Sequence, residues 1–220
     1  MEPSYYLETL YPLQNQALAV LSGLETGFYL TGGTAASRDY LHHRFSDDLD
    51  LFVNHDERFE AWADECVQAL SQTDSWRTEV LRRDTRFVRL VLVQTNTTLR
   101  VEFINDVPAH VGVIRTDPVL GRLDSAENIL ANKVTALIDR EEPKDFADVW
   151  GFCCRMGLSL TDALTDAQSK AAGIFAPDLA RVLLSATEAD WRLVRWHQGP
   201  DAGQFVADLQ ELGERLLLVR

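Results

Sequence analysis

The sequence has little cysteine and little lysine, and it contains no long apolar run. Its three cysteines are an odd number, and Cys66 lies far from the adjacent pair Cys153 and Cys154, so no zinc-site spacing is present. This pattern indicates reduced, intracellular thiols. No apolar stretch approaches the roughly 20 residues of a membrane helix. The sequence also lacks the basic start followed by an apolar run that would predict a signal peptide. The sequence therefore predicts a cytoplasmic protein with no membrane partner.

Positive charge is also scarce, because 34 acidic residues outnumber 21 basic ones and give a formal net charge of -13. Such a balance argues against large non-specific nucleic-acid binding, which depends on a basic surface. The basic residues are densest between Arg77 and Arg89, a run interpreted as a strand pair with charged outer faces. A local basic channel is compatible with this composition.

The apolar pattern divides the 220 residues into a mixed region and a helical region. It predicts an α+β fold, with an α/β core over residues 1–117 and a helical C-terminal domain over 118–220. Ser125 is a predicted N-cap, and Pro143 is predicted to start the next helix. Predicted strands are 28–30, 49–53, 76–81, 87–94, 99–104 and 111–114. Predicted helices are 4–22 with a break at Pro12, 34–42, 57–71, 125–140, one starting at 143, 160–172, 177–197 and 203–217.

Residues 30–52 carry the most informative motif, in which two glycines and a hydroxyl precede an acidic pair. Gly32 and Gly33, followed by Thr34, predict a phosphate contact, because glycines let a backbone approach a phosphate closely. Asp48 and Asp50 alternate along a predicted strand, so both carboxylates point to one face and can hold magnesium. The combination predicts chemistry on a nucleoside triphosphate. The alternative for the acidic pair is a charged turn that leads into a strand.

Glu102 is the candidate for a third acid in this site. Its sequence neighbours are apolar, so it points away from the core side of its strand. If that strand lies beside the aspartate strand, Glu102 approaches Asp48 and Asp50, and three acids could hold two divalent ions. The alternative is an exposed glutamate paired with Arg100.

Lys133 is unusual because the chain has three lysines against eighteen arginines. It lies beside the apolar stripe of its helix, where its compact ammonium can contact phosphate. The alternative is that the aliphatic part of the side chain only covers the apolar stripe. Asp145 and Asp148 occupy the first turns of the next helix. The helix dipole favours acids there, which explains Asp145 better than Asp148. A functional Asp148 would orient Lys133 or act on the acceptor group.

In this order, the motifs resemble the nucleotidyltransferase superfamily, and specifically the AbiEii-type toxin family that includes the MenT-type toxins. The resemblance covers about residues 27–150. It implies a mixed β-sheet with flanking helices, followed by a helical half. The motifs that carry it are GGT at 32–34, SDDLDLF at 46–52, NKVTALIDR around Lys133 and KDFAD at 144–148, where Lys144 replaces the family's arginine.

The resemblance also implies roles for individual residues. It implies that Lys133 and Asp148 are catalytic together with Asp48 and Asp50. It also implies that an NTP is the substrate. The implied nucleotide-binding residues are Gly32, Gly33, Thr34 and Asp145. The implied ligands of Mg²⁺ are Asp48, Asp50 and, more variably within the family, Glu102.

The implied reaction moves an NMP from an NTP to an acceptor, whose hydroxyl attacks the α-phosphate while pyrophosphate leaves. The acceptor is expected to be RNA such as tRNA, with a small molecule such as an antibiotic as the alternative. An RNA acceptor needs a basic groove, which Arg38, Arg44 and the 82–89 run could supply. Lys133 and Asp148 are expected to complete a cleft with the acidic pair.

The resemblance further implies a toxin–antitoxin setting with an antitoxin partner. Two other classes of function stay open at this point. One is a non-catalytic nucleotide-binding module of the same fold. The other is a structural partner that uses Trp150, Trp191 and Trp196 as interface anchors.

Overall fold

The computed structural model describes residues 2–218, which form two compact units. The first unit contains residues 2–35, 46–108 and 113–124, and the second contains 36–45, 109–112 and 125–218. The predicted domain boundary after residue 117 stays a prediction. None of the helices in the described part of the chain is long and apolar enough to span a membrane.

The first unit is built on a mixed sheet of seven strands. The strands are β1 Tyr29–Thr31, β2 Leu49–Asn54, β3 Arg77–Asp84, β4 Phe87–Gln94, β5 Thr97–Asp106, β6 Arg115–Asp117 and β7 Gly121–Leu123. Their order in the sheet is β3-β4-β5-β2-β1-β7-β6. The pairs β2–β5 and β1–β7 are parallel, and the other neighbours are antiparallel. A hairpin joins β4 and β5, with Gln94 opposite Thr97.

Five helical segments complete the first unit. Pro12 lacks an N–H group and cannot close a normal helical bond, and the chain widens into a π-helical turn just before it, where Tyr11 N–H bonds to the Tyr6 carbonyl. The segments are α1 Pro3–Tyr5, the π-helical turn Tyr6–Leu10, α2 Tyr11–Ser22, α3 Gly32–Ala35 and α4 Phe59–Ser71.

The core of this unit lies on one face of the sheet. Alternate residues of β2, β4 and β5 are buried there, so the residues between them point to the opposite face. Phe28 packs edge-on against Phe59 of α4 and tilted against Phe103 of β5, with ring centroids 5.9 and 4.9 Å away. The buried residues are Leu49, Leu51, Val53, Val88, Leu90, Leu92, Leu99, Val101 and Phe103.

The second unit is helical. Ser125 is confirmed as an N-cap, because its Oγ accepts a hydrogen bond from Asn128 N–H at 3.1 Å. Its segments are the π-helical turn Ala36–Leu41, α5 Ala126–Arg140, α6 Pro143–Trp150, the π-helical turn Gly151–Arg155, α7 Leu160–Lys170, α8 Ala176–Leu184, α9 Glu188–Leu193 and α10 Ala202–Leu218.

Two predicted elements are wrong. The helix predicted over 177–197 is two helices, because Thr187 and Asp190 form a capping box that starts α9 anew. The strand predicted over 111–114 is absent. There, Val111 N–H donates to Asn128 Oδ1 at 3.1 Å, and its carbonyl accepts from Ser125 Oγ at 2.5 Å. The start of α5 thus satisfies the backbone groups that a neighbouring strand would otherwise bind.

Candidate active site

Three carboxylates lie on the sheet face opposite the core, which we call the acid face. Asp48 immediately precedes β2, and Asp50 alternates with the buried Leu49 and Leu51. In the parallel pairing of β2 and β5, Asp50 lies in register with Glu102. The two strands are neighbours, which is the condition on which the approach of Glu102 to the acidic pair depended. Residues in register on them share one face.

Two arginines contact these acids. Arg100 pairs with Asp48, and its Nε lies 3.4 Å from Glu102 Oε1. Arg89 Nε donates to the same Glu102 oxygen at 2.8 Å. Burial alone would lower the pKa of Arg100, but Asp48 and Glu102 outweigh it and raise the pKa above its usual value. The arginine pairing that the sequence left open for Glu102 is thus present.

The donor set of Asp48 and Asp50 fits a magnesium ion. Both are oxygen ligands, and Mg²⁺ is commonly held by one or two carboxylates together with substrate phosphates. Across residues 2–218 no group of three or more His, Cys, Asp and Glu side chains is placed to hold a metal. A two-carboxylate site completed by the substrate needs no third protein ligand. The Asp48–Arg100 pair is 26% and 43% exposed, and such surface pairs contribute only about 0–1 kcal/mol.

The glycine turn packs directly against the acidic pair. Gly32 has a φ of +64°, and a Cβ added there would lie 2.4 Å from Asp50 Oδ2, so only glycine fits. Thr34 donates its hydroxyl hydrogen bond to the Asp48 carbonyl and lies 2.9 Å from Ser46 Oγ. The predicted phosphate-contacting residue Thr34 is buried and ties the turn to the acidic segment.

Asp47 lies between Ser46 and the acidic pair and is held elsewhere. Its Oδ1 accepts a hydrogen bond from Tyr6 OH at 2.9 Å. Gln14 adds a second restraint, because its Nε2 donates to the carbonyls of Ser46 and Asp47 at 3.2 Å. The polypeptide just before β2 is therefore fixed by side chains of the N-terminal helices.

The second unit contains a buried ionic cluster around Asp148. Lys133 Nζ of α5 lies 2.7 Å from both Asp145 Oδ1 and Asp148 Oδ2 of α6. Arg44 makes a two-point contact with Asp148, at 2.7 Å from Nε and 2.7 Å from Nη2. Lys133 is 6% exposed, Arg44 5%, and Asp148 0%. Arg140 Nε donates to Asp145 Oδ2 at 2.8 Å and completes the cluster.

The charges of this cluster stabilise one another. Burial would lower the pKa of Lys133, but Asp148 and Asp145 outweigh it and raise the pKa. Burial would raise the pKa of Asp148, but Arg44 and Lys133 hold it well below its usual value. Asp145 likewise has a lowered pKa, because Lys133 and Arg140 overcome its burial. Lys133 is therefore an ammonium fixed by two carboxylates.

His43 is the third partner of Asp148. Its Nε2 lies 3.0 Å from Asp148 Oδ1, and a carboxylate only accepts, so Nε2 carries the proton. Nδ1 has no hydrogen-bond partner among the described residues. Burial lowers the pKa of His43 despite its contact with Asp148, which keeps the ring neutral. An edge-on contact with Trp196, at 6.2 Å between ring centroids, adds to its packing.

The segment that carries His43 and Arg44 is paired with the C-terminal part of the chain. Phe45 N–H donates to the Arg195 carbonyl at 2.8 Å, and Arg44 forms an isolated antiparallel bridge with Trp196. The His43 carbonyl accepts from the backbone N–H of residues 197 and 198 at 2.9 and 3.0 Å. Residues 195–198 therefore hold the backbone that carries His43 and Arg44, two of the three residues that contact Asp148.

Sequence reasoning found Lys133, Asp145 and Asp148 but missed the roles of His43 and Arg44. Arg44 does not line a surface groove, as the sequence allowed, because it is buried against Asp148. The only signal was their position directly before the acidic motif. The roles predicted for the site residues, and the cleft expected from both motifs, stay predictions.

Comparison with known proteins places these motifs in a family. The sequence matches the family described as nucleotidyl transferase AbiEii toxin, type IV toxin–antitoxin system, over residues 16–198. No curated protein matches the sequence.

Solved structures share the fold at low identity. MenT4, a nucleotidyltransferase toxin from Mycobacterium tuberculosis H37Rv, is 18% identical with a TM-score of 0.69, covering 96% of this chain and 84% of its own. JHP933 from Helicobacter pylori is 17% identical with a TM-score of 0.62, covering 96% and 92%. The antibiotic-resistance factor ANT(2'')-Ia is 15% identical with a TM-score of 0.51, covering 74% and 91%.

These likenesses confirm the predicted α+β fold, a nucleotidyltransferase-like mixed sheet with flanking helices. The match to the family model spans most of the sequence and includes the glycine turn, the acidic pair, Lys133 and the KDFAD motif. The chain therefore belongs to the AbiEii nucleotidyltransferase toxin family and is a nucleotidyltransferase.

Proposed function

We propose that this nucleotidyltransferase transfers a nucleoside monophosphate from an NTP to an RNA acceptor in a magnesium-dependent reaction. The observation that carries the proposal is the glycine turn packed against the acidic pair. Gly32 leaves no room for a side chain beside Asp50, so a bare backbone and a carboxylate lie together on the acid face. Backbone N–H groups and a metal-binding carboxylate are complementary to a triphosphate with its cation.

Asp48 and Asp50 are the proposed magnesium ligands, with Glu102 as a further candidate beside them. A bound Mg²⁺ supplies neutralisation of the triphosphate charge and activation of the attacking hydroxyl. Asp48 and Glu102 would hold the cation in place of their contacts with Arg100, because partly exposed ion pairs contribute little stability. Arg89 stays beside Glu102 and balances its charge.

The remaining site residues divide into contacts and supports. Gly32 and Gly33 are proposed to receive the triphosphate through their backbone, while Thr34 holds the turn against Asp48. Lys133 is proposed to stabilise charge that develops on the phosphates, and Asp148 to fix its ammonium. Their 2.7 Å separation supports the orienting role of Asp148. Asp145 contacts the same ammonium and is proposed to serve nucleotide binding through it.

The family membership supports a biological setting. We propose that the chain is the toxin of a toxin–antitoxin pair and that a dedicated antitoxin is its protein partner. Its proposed substrates, NTPs and RNA, indicate action in the cytoplasm.

The test is incubation of the protein with each α-labelled NTP, Mg²⁺ and total RNA, followed by separation of RNA from protein. Wild type is expected to label RNA, and Asp48→Asn is expected to lower labelling by at least about 100-fold, because a metal ligand is lost. Chelation should abolish labelling, and added Mg²⁺ should restore it. Asp47→Asn is the matched control, since asparagine keeps an acceptor for Tyr6 and the variant should label like wild type.

Two results would contradict the proposal. Equal labelling by wild type and Asp48→Asn would remove the acidic pair from the mechanism. Transfer of label to an aminoglycoside-type small molecule, with none in RNA, would overturn the proposed acceptor.

A further inference from the structure

The acid face continues beyond Glu102 onto the two outer strands of the sheet. Glu102 lies opposite Arg89 in β4, and Arg89 lies opposite Arg82 in β3. Side chains opposite each other on neighbouring strands share a face. Arg82 and Arg89 therefore form one row with Glu102 and Asp50. At about 4.8 Å between strands, the row places Arg82 about 14 Å from Asp50 along the sheet.

A β-bulge in β3 turns Arg82 towards this face. Val80 lies opposite Leu90, but the register then shifts, so that Arg82 and not Leu81 lies opposite Arg89. Without the extra residue, Leu81 would face the row and Arg82 would point to the other side of the sheet. The bulge therefore replaces an apolar side chain by a cation on the acid face.

Phe87 lies between the two arginines. It is two residues before Arg89 in β4, on the same face, and it is partly exposed. The guanidinium of Arg82 is 5.4 Å from the ring centroid, and that of Arg89 is 5.2 Å away. Aromatic rings and guanidinium planes are the groups on which unpaired bases stack in single-stranded nucleic-acid sites.

The charge of this region favours a polyanion. Residues 77–94 contain five arginines against two acids, in a chain whose net charge is -13. Arg82 pairs with Asp84, but both side chains are at least half exposed, so a phosphate can recruit the guanidinium at little cost. A partner protein strand on the edge of β3 is less favoured, because charged side chains and a bulge are features that protect sheet edges from pairing.

We propose that Arg82, Phe87 and Arg89 bind the single-stranded end of the RNA acceptor and direct it along the row towards the acidic pair. The inference rests on the proposed function, because it locates the acceptor of the same site. Phe87 stacks a base and Arg82 contacts a phosphate, while Arg89 lies against the ring and keeps its contact with Glu102.

The test measures binding of a short 5′-labelled single-stranded RNA by fluorescence anisotropy, without NTP, over a salt series. Arg82→Gln and Phe87→Leu are expected to weaken binding by roughly 5- to 100-fold. Arg82→Gln should also make the slope of log K against log salt less negative by about 0.7. Phe87→Leu keeps an apolar side chain of similar size, so folding should be retained, and thermal melts verify this for each variant.

Arg83→Gln is the matched control. Arg83 is the next residue of β3, but it lies opposite the buried Val88 and pairs with Asp64 of α4, so it is on the other face of the sheet. The RNA affinity of the Arg83→Gln variant should stay within about 2-fold of wild type. Equal weakening by Arg83→Gln and Arg82→Gln would overturn the proposal, and so would wild-type affinity of Arg82→Gln.

The outcome is separable from that of the proposed function. If wild type labels RNA and Arg82→Gln binds and labels RNA equally well, the proposed RNA-binding role of Arg82, Phe87 and Arg89 is wrong, while the transfer reaction stands. If RNA binds through Arg82 and Phe87 but no NTP labels it, that RNA-binding role stands and the proposed reaction fails. Absence of RNA binding by wild type overturns the inference.

Discussion

Replacing Asp148 by asparagine is expected to destabilise the helical unit by several kcal/mol. Asparagine keeps the shape of the side chain but removes the charge that Lys133, Arg44 and His43 contact at 2.7–3.0 Å. Lys133 then keeps only the carboxylate of Asp145, and the buried Arg44 loses its charged contact with Asp148. Breaking a buried ion pair in this way costs about 3–5 kcal/mol. With an unfolding entropy of about 2.1 cal/mol/K per residue, and with all 220 residues unfolding in one transition, the melting temperature should fall by about 6–11 °C.

The assay is thermal unfolding at pH 7, followed by the tryptophan signal, since Trp150 and Trp196 pack within the same unit. Glu188→Gln is the control, because Glu188 and Arg192 form an exposed i, i+4 pair in that unit and should contribute less than about 0.5 kcal/mol. Equal melting temperatures for Asp148→Asn and Glu188→Gln would refute the reasoning. So would simple additivity of Asp148→Asn with Lys133→Met, because contacting residues are expected to couple by about 0.5–3 kcal/mol.

Two further predictions concern backbone strain and pH. Gly32→Ala should lose about 1–3 kcal/mol of stability and most transfer activity. Gly157 also has a positive φ, but an added Cβ would meet no atom within 4 Å, so Gly157→Ala should keep its activity. Equal activity losses of the two variants in labelling assays would contradict this prediction. Burial lowers the pKa of His43 below 6.5 in the folded state, so the unfolded state binds more protons and stability should fall as pH drops below about 6.5. This group should contribute a loss of up to about 1.4 kcal/mol per pH unit, measured by urea unfolding at pH 7.5 and 5.5. An equal loss of stability in His43→Gln would exclude His43 as its source.

Local patterns predicted most of the secondary structure. The alternation of apolar residues in β2 and β4 reflects one buried face, and the serine cap and proline of α5 and α6 act through their immediate neighbours. The strand expected at 111–114 failed for a non-local reason. Its backbone groups are satisfied by Ser125 and Asn128, whose approach cannot be derived from the apolar pattern of the segment itself.

The site shows the same division. Alternation alone predicted that Asp50 and Glu102 each point away from the buried side of their own strand. The pairing of β2 with β5, which alternation does not predict, brings them side by side. The contact of Arg44 with Asp148 joins residues 104 positions apart, and no spacing rule predicts it. The orientation of Arg82 was equally hidden, because a one-residue bulge reverses the face that simple alternation assigns.

The backbone pairing of residues 195–198 with His43 and Phe45 has a consequence for synthesis of the chain. A ribosome completes the acidic pair, Lys133 and the KDFAD motif long before it reaches Trp196 in the 220-residue sequence. Until that point the chain lacks the residues that hold the backbone of His43 and Arg44. Two of the three residues that contact Asp148 are therefore without this backbone support. A truncated translation product ending before Trp196 would carry the glycine turn, the acidic pair, Lys133 and the KDFAD motif, and would still lack backbone contacts that support its ionic cluster.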